Sequence, residues 1–504
     1  MGLLDLPGEL IDEIIDLTLP DGLEGFVLSC RAVHQRAAVQ IKRHSRLKRL
    51  SRFAARPAND NGKCLFLLHE LTRDPLLADY VRILNLRRPV EARSPSSLSE
   101  EFRMDDDTME RVKTMVMEAE WLEQAGIDVQ ELWEKMMEED DADEDASSAP
   151  LPPFNTVALL SRLLALETLQ LSNNWAELTQ ASFMTVPNDD LLVYMLEELV
   201  EYSVAHFGSR DALLGKLQVI LPFMAAGQSQ RAALQTVGPF LRLPSLKEFF
   251  GISLVAACDS FAGTPFEWHW KDDSALRRLE LAHCCMNAEG FSAFLSHTPR
   301  LEVFKYSHET KWGGYLDDWN PGEFIVALAQ ACGSTIVELC LTVDDLSGEI
   351  INGGSSLLGF PKLKRIETDV LIFCGPPIES GQRRGPDPYV PPGDIPWTEH
   401  DIPCLGSMLP PSIVEVILNT EFPKADTVAL RSLVKNFKQH KEERLFDLKD
   451  VCIRQYAGVS AGGLYGIHGL VRVVDGSENG RLRRPMLPLW KRDFAKRVGG
   501  IAYS

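Results

Sequence analysis

No two cysteines in this sequence are spaced to share a metal or a redox disulfide. Ten cysteines are scattered over 504 residues, only Cys284 and Cys285 are adjacent, and no C-x-x-C pair occurs. A zinc ribbon, a RING and a thioredoxin-type site are thereby excluded, and free, mostly buried thiols in a reducing compartment are expected. H-E-x-x-H, a Walker phosphate loop and a G-x-G-x-x-G after a strand are also missing, which removes the metalloprotease, P-loop and dinucleotide-binding classes. No uninterrupted apolar run approaches membrane-spanning length, and the first helical stretch is acidic, unlike a secretory signal. A cytoplasmic or nuclear protein without a membrane partner is expected. Bases are the minority, 52 Lys and Arg against 72 Asp and Glu for a net charge of −20, which argues against nucleic acid as a partner. Histidines sit singly (His206, His283, His308) and read as satisfied surface or core residues rather than ligands. No metal and no cofactor is expected.

What is present begins with residues 1–56. Asp5, Pro7 and Glu9 mark a helix start. Leu10, Ile11, Ile14, Ile15 and Leu17 follow at helical spacing with Asp12, Glu13 and Asp16 opposite. Pro20-Asp21-Gly22 reads as a turn, and a second helical series runs through Leu23, Phe26, Val27, Cys30, Val33, Ala37 and Ile41. So short a unit cannot bury this much apolar surface alone. It either docks on its own domain or meets another protein. All seven acids of the segment lie at or before Glu24 and all nine bases from Arg31 onward; the basic run reads as a solvated face beside an acidic neighbour.

The run Leu6-Pro7-x-Glu9-Leu10, Ile14-Ile15, Leu17, then Leu28-Ser29-Cys30-Arg31 resembles an F-box, particularly the fungal version. Val33 stands where many F-boxes carry Trp. The resemblance implies a short helical motif that binds a Skp-type adaptor and, through it, a cullin–RING ubiquitin ligase. It implies adaptor contacts from Leu6, Pro7, Leu10, Ile11, Ile14, Ile15, Leu28, Cys30 and Val33.

Residues 57–150 read as a helical connector, with a helix at Cys64–Leu71, a strand at Tyr80–Leu86 and a Ser/Pro/Arg-rich loop. Residues 100–145 carry 19 acids against four bases, and Glu138–Asp145 is expected to be a solvated, disordered spacer. The spacing and central Gly of an EF-hand loop are absent.

From 151 to 456 a repeat emerges. Leu166-x-x-Leu169-x-Leu171-x-x-Asn174 and Leu276-x-x-Leu279-x-Leu281-x-x-Cys284 fit the pattern L-x-x-L-x-L-x-x-N/C. The second, with its 25-residue step to Leu301, resembles the cysteine-containing leucine-rich repeat. Looser copies start at Val81, Leu246, Leu301, Ile336, Leu363, Ile413 and Leu448. Helices are expected between them at Asp189–Phe207, Asp211–Ala226, Ala288–His297, Glu323–Cys332 and Ala425–His440. The expected fold is α/β: a short helical F-box, then an irregular leucine-rich-repeat solenoid of parallel strands and helices. Ten prolines in 376–411 mark an insertion, and 457–504 read as a cap or tail.

Gly458-Val459-Ser460-Ala461-Gly462 matches a nucleophile elbow, but a hydrolase of that class needs an acid and then a histidine after the serine. Only His468 follows, none comes after Asp475, and Gly462-Gly463 is a poor helix start. The reading is therefore non-catalytic: a substrate receptor of a ubiquitin ligase that binds a protein target through its repeats. A non-ligase interaction scaffold is the alternative, and a serine hydrolase comes third. Between the core leucines of each strand, Arg278, Glu280, Lys305, Glu338, Arg365, Glu367 and Glu415 should share the concave surface and select a target by charge. Trp268, Trp270, Trp312, Trp319 and Trp397 are expected either on a shared binding rim or packing their loops onto the array.

Overall fold

Pro7 lacks an amide hydrogen, so it costs nothing at a helix entrance, and helix α1 (Gly8–Leu17) starts directly after it. The computed structural model of the chain describes residues 3–57, 60–87, 105–141, 153–178, 189–209, 212–258, 265–311, 318–348, 350–374, 403–420, 432–455, 471–475 and 487–503. They form two mixed α/β units, Met1–Trp175 with Val186–Gln218, and Ala176–Thr185 with Val219–Ser504.

In the first unit the apolar series from Leu23 to Ile41 is not one helix but parts of three: α2 (Leu23–Val27), α3 (Arg31–Arg36) and α4 (Ala38–Ala54). The break falls at Cys30, whose extended backbone begins α3 and whose thiol accepts the Val33 N–H at 3.5 Å. Breaking the helix folds both apolar series onto one small core of Ile11, Ile15, Leu23, Val27, Val33 and Ala37. The bases of α4 then meet partners on and between the next helices, α5 (Asp60–Arg73) and α6 (Leu77–Tyr80). Arg43 grips Asp74 with both arms, Arg46 meets Glu70, and the His44 ring lies 2.6 Å from the Tyr80 hydroxyl. Lys63, fully buried, donates to the Ala54 and Arg56 carbonyls (2.8 and 2.7 Å) and to that of Asn85. One ammonium thus ties the end of α4 to strand β1 (Ile83–Asn85), which pairs in parallel with β2 (Thr168–Gln170).

The acidic stretch is more ordered than its composition suggests. After α7 (Asp106–Met117) and α8 (Glu120–Ala125), α9 runs Val129–Asp141 and includes the first acids of the run expected to be a spacer. Glu139 is buried, and its carboxylate accepts the Asn155 N–H at 2.7 Å. That amide lies in the first turn of α10 (Phe154–Leu160), where a negative charge is favoured. Residues 142–150 lie outside the described ones. Helix α11 spans Asp189–Ala205.

The second unit is a run of parallel strands: β3 (Val219–Leu221), β5 (Glu248–Ile252), β7 (Arg278–Met286), β8 (Val303–Glu309), β9 (Glu338–Asp345), β10 (Arg365–Asp369), β11 (Glu415–Asn419), β12 (Asp450–Gln455) and β13 (Val471–Asp475), each paired with the next. Two short strands, β4 (Ala232–Ala233) and β6 (Leu254–Ala256), pair beside β7, and a short helix, α12 (Gly238–Leu241), precedes β5. All nine repeat starts read from the sequence lie two residues ahead of a strand, from Val81 before β1 to Leu448 before β12. The expected helix Asp211–Ala226 does not form. Leu214 takes a φ of 53°, and β-branched Val219 and Ile220 enter β3 instead.

Alternate residues of each strand (Leu279, Leu281, Phe304, Leu339, Leu341, Ile366, Val416, Leu418) are buried. Phe304 meets Phe291 and Phe324 of α13 (Ala288–Ser296) and α14 (Pro321–Cys332), whose rings stack at 6.0 Å. Cys284, at the N/C position of the repeat pattern, accepts the Leu254 N–H and donates to the Ala282 carbonyl. Burial pushes its thiol up to about 12. Asn287 caps α13 through the Gly290 N–H (2.8 Å) and also bonds both backbone groups of Cys258.

This places Gly290 against the neighbouring backbone: a Cβ there would lie 2.5 Å from Ala257 Cα. Gly290→Ala is expected to lower stability by about 1–3 kcal/mol, read as a lower urea midpoint for the transition of the second unit.

Candidate recognition surfaces

Helix α1 carries two adjacent apolar stripes. Ile11 and Ile15 point into the small N-terminal core, whereas Pro7, Leu10, Ile14 and Leu17, at i, i+3, i+7 and i+10, run along a second stripe. Leu10 is 45% and Leu17 77% exposed; Leu28, in the loop after α2, is 80% exposed, and Ile14 is half-buried. Nine adaptor contacts expected from sequence therefore divide. Ile11, Ile15 and Val33 are consumed by the motif's own core, and half-buried Leu6 and Cys30 pack against it. Pro7, Leu10, Ile14 and Leu28 remain presentable.

The charged row expected on the sheet does share one face, because Glu248, Arg278, Glu338, Arg365 and Glu415 hold one register across the strands and Glu280, Lys305 and Glu367 the next. It is not a free charged surface. Glu280 bonds Arg278 at 2.6 Å and meets Lys305 at 3.5 Å; Lys305 meets Glu338 at 2.9 Å. Arg365 bridges Glu338 and Glu415. Glu280, Lys305 and Glu367 are buried, so these three cannot select a target by open charge.

What covers part of that face is the helix Leu489–Val498. Trp490, Phe494 and Val498 pack on Phe250, Ile252, Ala282 and Cys340, all at outward strand positions. The helix begins at Pro488 with no side-chain cap of its own. Glu367 serves in that place: its carboxylate accepts the Leu489 N–H at 2.6 Å and the Trp490 N–H at 2.9 Å. The Arg454 guanidinium donates to that carboxylate (3.4 Å), to Asn419 Oδ1 (3.0 Å) and to the Leu487 carbonyl (3.0 Å). The Trp490 indole donates to Thr342 Oγ1 at 3.2 Å.

Lys491 is fully buried beside Asp344 and 3.1 Å from His283 Nε2. His283 Nδ1 faces Asp344 at 3.2 Å and Glu309 at 3.3 Å, and Glu309 pairs with Lys311. Backbone irregularity puts these groups here. His283 has a φ of 56° where the β7–β8 register shifts, so it joins Ala282 on the outward face. Between β8 and β9 the register jumps from His308↔Val343 to Glu309↔Asp345, which leaves Asp344 as an unopposed extra residue. Sequence reasoning missed His283, Asp344, Glu309, Lys311, Trp490 and Lys491 as a group, because strict alternation does not foresee bulges.

The tryptophans divide as well. Trp319 is 1% exposed, stacked on His308 and packed on Tyr306 and Phe324, so it presents nothing to a partner. Trp268 and Trp270 are half-buried, edge to face with each other; His297 stacks on Trp268, and the Arg242 guanidinium lies over Trp270. Trp312, Trp397, Ser460 and His468 lie outside the described residues. His308 is wholly buried and pushed down to about 3 by that burial, whereas His206 is exposed and stacked on Tyr202.

A cleft of about 970 Å³ in the first unit has Arg111, Glu118, Trp121 and His206 on its walls. No expected binding residue lines it, and its walls come from segments too far apart in the chain to read as one motif. Among the described residues no His, Cys, Asp and Glu cluster could hold a metal ion, and no helix is long and apolar enough to cross a membrane. No family model matches the chain, and neither does any curated protein.

Burial raises the Asp344 pKa, but the charges of His283 and Lys491, with hydrogen bonds from Lys491 and Ser307, outweigh it and bring it down to about 2. A carboxylate depressed on folding stabilises fully above its unfolded range near 4 and loses that contribution as pH falls to 2. Burial moves Glu367 and Asp369 the other way, so the difference between parent and Asp344→Asn isolates Asp344. The urea midpoints of the two are expected to converge between pH 4 and 2. A constant gap would remove the charge assignment.

Proposed function

We propose that the chain is the target-recognition subunit of a ubiquitin ligase of the Skp–cullin–F-box type. Residues 1–56 are an F-box that binds a Skp-type adaptor, and the parallel strands and helices of 151–456 are an irregular leucine-rich-repeat array that binds a protein target. The observation that carries the reading is the second apolar stripe of α1. The motif satisfies its core with Ile11, Ile15 and Val33 and still leaves Leu10, Leu17 and Leu28 exposed. Solvation of such a stripe is unfavourable by about 25 cal/mol per Å² of apolar surface, and a partner's groove removes that cost. The nine strand starts that keep the repeat spacing support the array.

The role is placement, not bond-making. A target held on the array has its lysines near a charged conjugating enzyme, and raised effective concentration does the rest. The aspartate and glutamate excess suits a neutral or basic target.

Leu10→Asp with Leu17→Asp is expected to abolish co-purification of a Skp-type adaptor while the melting temperature stays within about 2 °C, since exposed substitutions change stability by about 0.5 kcal/mol or less. Ile15→Ala, in the core, is expected to cost about 2–5 kcal/mol. Unchanged adaptor capture by the double variant sinks the proposal. Ubiquitin transfer to a co-purified target in a reconstituted ligase separates a receptor from a scaffold that binds without transfer.

A further inference from the structure

The outward sheet face of the second unit holds its helix in the manner of a binding site. Its contacts are mostly side-chain readouts, each aimed at a different feature of the occupant. Glu367 reads two free N–H groups at a helix start. A slot bounded by Phe250, Ala282 and Cys340 takes Trp490 and Phe494, with Thr342 for the indole N–H. Asp344 and His283 take an ammonium one residue further on. The helix carries Lys491, Arg492, Lys496 and Arg497 against Asp493 alone, a net of three positive charges (four minus one) in a chain of net charge −20. Among the described residues, backbone pairing reaches this segment at Ala226, whose N–H donates to the Ala502 carbonyl (2.7 Å) beside a parallel bridge to Tyr503.

Lys491 is the telling residue. Burying an ammonium is costly, and apolar side chains of similar volume stabilise a core as well or better, so a buried ion pair is weak evidence for stability. It is well suited to selecting one sequence among many helices. Bulges at His283 and Asp344 aim both groups at that ammonium.

We propose that this face is a receptor for a basic amphipathic helix, and that Leu489–Val498 is its occupant in cis. The partner is a helix on the target protein whose first turn has free N–H groups, an aromatic residue, a lysine directly after it and a second aromatic four residues beyond the first. This rests on the reading of the sheet as the target-binding face, and its test uses neither adaptor nor ubiquitin, so the two can fail separately. Eleven residues separate Asp475 from Leu487. Because the occupant belongs to the same chain, its effective concentration is roughly millimolar, and a target helix binds only by outcompeting it.

The probe is a fluorescein-labelled peptide of residues 487–504, followed by anisotropy. It is measured against the unaltered chain, a chain ending at residue 486, and full-length Trp490→Ala/Lys491→Glu. Both altered chains are expected to bind it about 10²–10³-fold more tightly than the unaltered chain, for a micromolar free site. Glu367→Gln in the shortened chain, or Lys491→Glu in the peptide, is expected to weaken binding at least about tenfold. Equal binding to all three chains overturns the proposal, as does no binding to altered chains that unfold cooperatively. Loss of cooperative unfolding in both altered chains overturns it too, since the helix is then part of the core. Helix exchange that makes dimers of the unaltered chain replaces the target helix with a second copy and also counts against it.

Discussion

Parallel sheets are generally covered on both faces, and the strands of the second unit carry apolar side chains on one face and mostly charged ones on the other. Much of the second unit follows from that requirement. One face is closed by the phenylalanines of α13 and α14. On the other, alternating charges neutralise one another from Arg278 to Glu415, and an aromatic patch around Phe250 is closed by the helix Leu489–Val498. The ladder of ion pairs and the helix do different work. The ladder makes charged strands compatible with close packing, whereas the helix engages groups the ladder leaves over: Glu367, Asp344 and His283.

Much of the fold was legible because its signal is local. Apolar residues at the spacing 0, 3 and 5 place a strand without knowledge of its neighbours; seven of the nine starts carry all three, and Leu246 and Leu363, with Gly251 and Thr368 in the third place, still precede strands. The same spacing is incomplete at Leu217, where Ile220 holds the +3 place but Pro222 the +5 place, and the stretch reads as a helix until the left-handed backbone at Leu214 is known. In the N-terminal motif, periodicity found the apolar residues but not which neighbour each faces. Ile11 and Leu10 are adjacent in sequence and equal in hydrophobicity, yet one is core and the other surface. Only the fold of α2 and α3 back onto α1 separates them.

The recognition surface of the second unit was half legible. Alternation correctly put Arg278, Glu280, Lys305 and Glu367 on one face, since side-chain direction follows from period two. It could not tell that they would be paired or covered, because the covering helix lies more than a hundred residues from Glu367. Trp319 was left between two places for a related reason: an irregular loop does not announce whether its rings turn inward, and this one stacks on His308. The bulges at His283 and Asp344 leave no mark in hydrophobic pattern at all.

The buried thiols have a consequence of their own. Cys284 is held near 12 and Cys340 well above its ordinary value by burial, one beneath the sheet and one under Trp490. Neither forms a thiolate at neutral pH, and neither is in contact with solvent. Alkylation of either residue therefore has to wait for the protein to part at that place. Cys284 would register the strands separating from α13, and Cys340 the lifting of a single helix, so the two sulfurs form a pair of clocks that tell global unfolding from local opening.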